Sequence, residues 1–459
     1  MTALNGNLTA KGLVAALSGP VTLDPAARAR MTAGVADTDA LRTKWRWLAD
    51  SEPPADPHAL VRAFVLGHCA GVGRPLAWDL VKALIIARCS VLAAGYSGVS
   101  PAFVDGMLAL LDDAPFDVPS QGALGAAGSP PLAHVLAHAC GYLGGLARVR
   151  PTEKEALAWL NGDTFTAALG AVAVVRAQHL VAVAIDACAL SFEAARADLH
   201  CIDPRVLDAR RQPGAIAVAA SLRERLAGST LCGAGRKPDP FSLRCAPIVL
   251  GAVADTVDYA EEAIDRELSA VQDNPLLFDG QPIEAGNFHG APAALAMDAL
   301  KTALTQLASI SERRTFRLTY GQLSGLPSFL VHGTGLNSGL MLAQYTAASL
   351  VSEMKGLSHP ASVDSIPVVQ HREDHAPNGP VAARMALRVL DCLTDVLSIE
   401  LLCAAQAVDL RLEADGHPAP HTAALHANIR AVSPRWVDDR VLRHDLIALR
   451  SFVDAQAAS

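Results

Sequence analysis

The sequence predicts an all-α fold built on a large central bundle of long helices. Three observations carry that expectation. The 459-residue chain is 51% hydrophobic but only 5% aromatic, so Ala and Leu supply the apolar weight, a composition that favours packed helices over sheets. Several long segments repeat apolar residues every three or four positions, and no run alternates with the period of two that marks a strand. Charged residues make up only 18%, which leaves apolar surface for a large core and excludes a disordered chain.

The elements follow in chain order. Between Met1 and Pro20 the main apolar run is Leu13–Leu17, too short for a secretory signal core. Ser51–Pro57 (SEPPADP) reads as an exposed loop. Val118–Ala147 contains no Asp, Glu, Lys or Arg, yet Pro119, Gly122, Gly125, Gly128, Pro130 and Pro131 interrupt it, so it is no membrane-spanning helix. Thr164–Val175 is apolar nearly all round, the pattern of a helix buried on every side. Val257, Ala260, Ile264, Leu268 and Val271 form one face, with Asp258, Glu261, Glu262 and Asp265 opposite. That helix is expected to stop at Asp273-Asn274-Pro275, where proline forbids continuation. Leu390, Leu393, Leu397, Leu401, Ala404 and Val408 repeat the pattern, with Asp391, Asp395 and Ser398 facing out. No internal repeat is present. The expectation is one helical domain over residues 1–459, with a smaller part at about 1–150 and a bundle over about 151–459.

Charge and cysteine usage narrow the partners. The net charge is −8, so no basic excess exists to neutralise a phosphate backbone, and nucleic acid is not an expected partner. The nine cysteines form no C-x-x-C pair and mostly sit in apolar runs, as reduced thiols of a cytoplasmic protein do. No membrane partner is expected either.

Four segments look unlike core helix. Gly122-Ala-Leu-Gly125-Ala126-Ala127-Gly128 spaces three glycines evenly, which suits either close approach of a ligand or a tight interhelical turn. In Asp239-Pro-Phe241-Ser-Leu-Arg244-Cys245 an arginine sits between apolar neighbours. Burial of its planar fork requires an anion, either a bound carboxylate or an internal Asp or Glu. Gly286-Asn287-Phe288-His289-Gly290 holds an amide and an imidazole between glycines, as a site or as a turn. His371-Arg372-Glu373-Asp374-His375 clusters acid, base and imidazole, which suits proton transfer or a solvated loop. The H-x-x-x-H pairs His134/His138, His371/His375 and His417/His421 lack the order and helical context of a zinc hydrolase, so no metal is expected.

Together these strings resemble the histidine/phenylalanine/tyrosine ammonia-lyase family. The resemblance is carried by Asn161-Gly162, Asp239–Cys245, Asp273-Asn-Pro-Leu276, Gly286–Gly290, Ser309-Ile-Ser-Glu-Arg-Arg314, Gly335-Leu-Asn-Ser-Gly339, His359–Pro367 and Glu373-Asp-His375. It runs in order from the His68-Cys-Ala-Gly-Val-Gly73 segment to Arg411. It implies an elongated helical bundle of the fumarase/aspartase-like kind, assembled as a homotetramer with sites drawn from several subunits. It also implies Arg244, Asn161, Asn287, Phe288 and Phe241 as substrate-binding residues for a small-molecule carboxylate.

The departures bear on chemistry. The family builds a methylidene-imidazolone from an internal Ala-Ser-Gly triad, and the serine loses its hydroxyl as water. Here the corresponding residues are Ala126, Ala127 and Gly128. Alanine has no hydroxyl to eliminate, so the cofactor is expected to be absent. The following stretch, Ser129-Pro130-Pro131, is one residue shorter than the family pattern. The family's loop tyrosine, which takes the substrate β-proton, has no counterpart between Val35 and His68, and Phe241 stands where a tyrosine is usual. Glu373 or His68 would have to act as the base. The resulting expectation is a cofactor-independent carbon–heteroatom lyase on an amino-acid-like or betaine-like carboxylate, with ergothionase-like enzymes as the precedent the resemblance suggests. The alternative is a catalytically inactive relative that binds a metabolite or a partner subunit.

Overall fold

The computed structural model describes residues 1–35, 55–126, 128–233, 239–333, 335–414 and 416–455. The fold is all-α, with 64% helix and 5% strand. Its long helices are Trp78–Ala93, Thr164–Ala195, Ala246–Ser269, Ala291–Thr319, Met341–Leu357 and Gly379–Leu412. The strands form three two-stranded pairs: Thr2–Leu4 with Val21–Leu23, parallel, then Val72–Pro75 with Pro119–Gln121 and Leu276–Phe278 with Gln281–Ile283, both antiparallel. Strands of three or four residues are too short to display a period of two, which is why the sequence did not announce them.

Contacts divide the chain into two compact units that are each discontinuous in sequence. One comprises Met1–Val175, Ala260–Asp298 and Pro360–Met385, the other Arg176–Tyr259, Ala299–His359 and Ala386–Ser459. Neither has a boundary near residue 150, because four long helices pass from one unit into the other.

Thr164–Val175 is buried almost throughout, as its all-round apolarity requires. The whole helix Thr164–Ala195 is long and apolar enough to cross a membrane, but 67% of its most apolar window is buried within the fold, as in a core helix. Three expectations need correction. The helix Ala246–Ser269 ends before Asp273, because the Gln272 amide donates to the Glu267 carbonyl at 3.0 Å and the Ser269 hydroxyl turns to Leu8 O at 2.9 Å. Ser398 does not face out. It is buried, and its hydroxyl returns to the Thr394 carbonyl at 2.8 Å, so burial leaves no unsatisfied group. Pro57 likewise opens the helix Pro57–His68, with the Asp56 carboxylate accepting from His58 N. Residues 51–54 of the expected loop lie outside the described residues.

Buried ionic groups fix the turn between the helices Glu153–Leu160 and Thr164–Ala195. Arg88, fully buried, donates to Thr164 Oγ1 at 3.0 Å, to Gln272 O at 2.9 Å, and to Ala158 O. Lys154 pairs with Asp273 at 2.8 Å, both buried.

Candidate active site

The glycine-spaced segment forms a loop between the strand Pro119–Gln121 and the helix Pro130–Ala139. Gly122, Gly125 and Gly128 have φ of +120°, +87° and +69°, angles that side-chain-bearing residues rarely adopt. Ser129 N donates to Leu160 O at 3.0 Å and ties the loop to the neighbouring helix. Ala127 lies outside the described residues.

His68, the last residue of its helix, meets this loop. A methyl group at Gly128 would sit 3.2 Å from His68 Cδ2 and Nε2, so the imidazole edge lies directly against the glycine. His68 Nδ1 is 2.7 Å from the Phe64 carbonyl. A carbonyl only accepts, so Nδ1 carries the proton, and in the neutral ring the basic nitrogen is Nε2, on the Gly128 side.

Asn161 and Asp163 approach from the turn after Leu160. Asn161 is 4% exposed. Its Nδ2 donates to Asn274 O at 2.7 Å, and its buried Oδ1 has no partner among the described residues. Asp163 is 1% exposed. Its Oδ1 accepts from Thr166 Oγ1 at 2.5 Å at the start of the long helix, while Oδ2 is buried without a partner among the described residues. Burial pushes the Asp163 carboxyl well above the usual carboxylate range, the negative charge of Glu267 adds to the push, and the bonds from Thr166 oppose it.

Two further segments dock on the loop through backbone. Gly290 N donates to Gly125 O at 3.0 Å, and Asn378 N donates to Leu124 O at 2.8 Å. Any side chain at Gly290 would overlap the Asp163 carboxyl, which explains the glycine there. In the Gly286–Gly290 turn, Asn287 is exposed and Phe288 half-buried. His289 Nε2 lies 3.2 Å from His375 O, joining this turn to the acidic loop. Glu373 is half-buried, and its backbone pairs with Val368 around a turn in which Val369, Gln370 and His371 all have positive φ.

Within the first unit, then, the structure gathers His68, Ala126, Gly128 and Asn161, with the Asn287–Gly290 and Glu373–Asn378 segments joined to the same loop. Arg244 and Phe241 belong to the second unit. Arg244 is exposed and, among the described residues, has no ion pair; its guanidinium lies 4.9 Å over the ring of Phe241, itself 69% exposed. The helix Phe241–Arg244 is one turn long and buries only Leu243, so positions 241 and 244 share its outer face. Asp163 went unnoticed in the sequence. Its signal was an acid set between the apolar runs Ala156–Leu160 and Thr164–Val175, where a charge has no solvent.

Among the described residues no group of three His, Cys, Asp or Glu is arranged to hold a metal. Residues 8–431 match the family model for aromatic amino acid lyases. The chain belongs to the aromatic amino acid lyase family. A histidine ammonia-lyase of Anaeromyxobacter sp. (strain K) is 42% identical to it, covering 94% of this chain and 94% of that protein. The solved histidine ammonia-lyase of Trypanosoma cruzi superposes with a TM-score of 0.88 at 32% identity, over 99% of this chain and 93% of that one. A tyrosine aminomutase from Streptomyces globisporus gives the same TM-score at 29% identity, over 99% and 97% of the two chains. The methylidene-imidazolone implied by this family does not fit the residues here. Ala126-Ala127-Gly128 offers no hydroxyl whose loss would form the methylidene.

Proposed function

We propose that this aromatic amino acid lyase family member is a cofactor-independent carbon–heteroatom lyase, acting on an amino-acid-like or betaine-like carboxylate by 1,2-elimination or a related addition or cyclisation. The single observation behind this reading is alanine at position 127. Ammonium is a poor leaving group and a β-proton is weakly acidic, so unassisted deamination forfeits several orders of magnitude in rate. A trimethylammonium or thiolate leaving group removes the need for covalent activation. His68 is the base we favour: its Nε2 faces the triad loop with the proton held at Nδ1. Glu373 is the other candidate. Arg244 offers an exposed planar fork to a carboxylate. We further propose a cytoplasmic homotetramer, without metal or methylidene-imidazolone.

Ordinary histidine deamination is the competing reading, favoured by the names of the relatives at about 42% identity. Two measurements separate them. Intact-protein mass is expected to equal the encoded mass; a chain lighter by two waters would mean that the electrophile forms after all. Turnover is then compared on histidine and on imidazole or aromatic substrates bearing trimethylammonium or thiol groups, following amine or thiol release. Elimination from the second set alone is expected. Rapid ammonia release from histidine overturns the proposal, and binding without any turnover means an inactive relative.

A further inference from the structure

The second unit holds a cleft of about 350 Å³ that none of the chemistry above uses. Its walls are two helix faces. The helix Thr164–Ala195 contributes His179, Ala182 and Asp186, and the helix Pro420–Val432 contributes His421, Ala424 and Asn428. On each helix these positions are i, i+3 and i+7, one face over two turns. Both faces read His, Ala, then an acid or its amide. Buried Val183 and Leu425 complete the lining. The two alanines are exposed and leave the middle of the cleft open, and its volume is that of a small-molecule site.

Hydrogen bonds fix what the polar residues offer. His421 Nε2 donates to Asp186 Oδ1 at 2.9 Å, and Arg225 Nε donates to the same oxygen at 2.5 Å. His179 Nε2 donates to the Val453 carbonyl at 2.8 Å. Both imidazoles therefore carry a proton on Nε2, and in the neutral rings Nδ1 is an acceptor. His179 and Asn428 each lie seven residues along their helices, about 10 Å, from the His421–Asp186 pair. The lining is thus rich in acceptors at well-separated positions. Arg225 cancels the charge of Asp186, so the cleft has no net charge with which to hold an ion. Among the described residues, no three of the His and Asp side chains are arranged to hold a metal.

We propose that this cleft binds a small, flat, neutral nitrogen heterocycle that carries N–H donors on opposite edges. Such a ring lies over Ala182 and Ala424, and its donors meet the acceptors beyond them. An ionised carboxylate or phosphate brings only further acceptors and meets the Asp186 carboxylate, so anions are refused. The site rests on no part of the reaction proposed above.

Adenine is the probe, because it is flat and neutral at pH 7 and carries N–H groups at N9 and N6, across the ring from one another. Calorimetric titration of the full-length, assembled chain should show one adenine per chain, with no competition from benzoate. 9-Methyladenine lacks one of the two donors and should bind about fivefold more weakly. Ala424→Leu fills the middle of the cleft and should weaken adenine binding about tenfold or more. His68→Ala, at the triad loop, should leave it unchanged. No adenine binding below about 1 mM overturns the proposal. So does binding that survives Ala424→Leu but is lost in His68→Ala, or a crystal structure in which a second copy of the chain fills the cleft. If Ala424→Leu does not fold, Asn428→Ala, an exposed substitution, takes its place, and unchanged adenine affinity there overturns the proposal.

Discussion

Each unit contains a buried acid, and the two are treated differently. In the second unit Glu400 is fully buried, and both oxygens are occupied. Oε1 accepts from Arg314 Nε at 2.5 Å and from Ser191 Oγ at 2.7 Å, and Oε2 accepts from Arg314 Nη2 at 2.8 Å. Burial alone would lower the pKa of Arg314, but Glu400 outweighs it and the cation is held firmly. In the first unit Asp163 is just as deep, but it has no ion pair among the described residues, and the charge that raises its pKa along with burial is that of another acid, Glu267. The first acid is a strut whose charge is cancelled on the spot. The second keeps an unspent hydrogen-bonding oxygen on the side of Gly290 and Gly379, an arrangement typical of sites rather than of scaffolds.

Breaking the strut should give the largest effect. Glu400→Gln leaves the Arg314 guanidinium buried without its counter-charge and is expected to cost about 3–5 kcal/mol, read from urea unfolding at fixed protein concentration. The pair Glu400→Leu with Arg314→Met should recover most of that loss, since well-packed apolar replacements of buried pairs are often tolerated. A loss under about 1 kcal/mol in Glu400→Gln would mean that the ion pair does not hold the bundle.

Gly290→Ala tests the other side of the comparison. Its methyl group overlaps the Asp163 carboxyl, and an overpacking cost of about 1–3 kcal/mol is expected. In an Asp163→Ala background the same substitution should cost much less, and a double-mutant cycle measures the difference. Equal costs in the two backgrounds would break the argument that Gly290 is small because of Asp163.

The smallest effect on stability belongs to Arg244→Lys. An exposed side chain stacked on an exposed ring should change stability by no more than about 0.5 kcal/mol. Affinity for a carboxylate ligand should nevertheless fall strongly, because an ammonium does not reproduce the planar fork. A lowered melting temperature with unchanged affinity would make Arg244 a structural residue and remove it from the site.

Much of this was legible in the chain because it depends on local pattern. Leu390 to Val408 repeat with the helical period, and a helix forms over them. Proline at 130 and glycines at 122, 125 and 128 mark a loop, and a loop stands there. Ser398 was misread because spacing gives the face of a helix, not what covers that face, and a polar residue with an i−4 carbonyl within reach went inside.

What the sequence determined by itself is composition and chemistry: the helical class, the family strings, and the alanine at 127 that has no hydroxyl to lose. These are properties of residues and their order, and no folding changes them. What only the tertiary structure decided is which distant residues share an environment. Gly125, Gly290 and Gly379 lie far apart in the chain, and only folding converges them on Asp163. Burial depends on everything that packs around a group. An aspartate unnoticed in the sequence therefore becomes, in the folded chain, a buried acid with one oxygen left without a partner among the described residues.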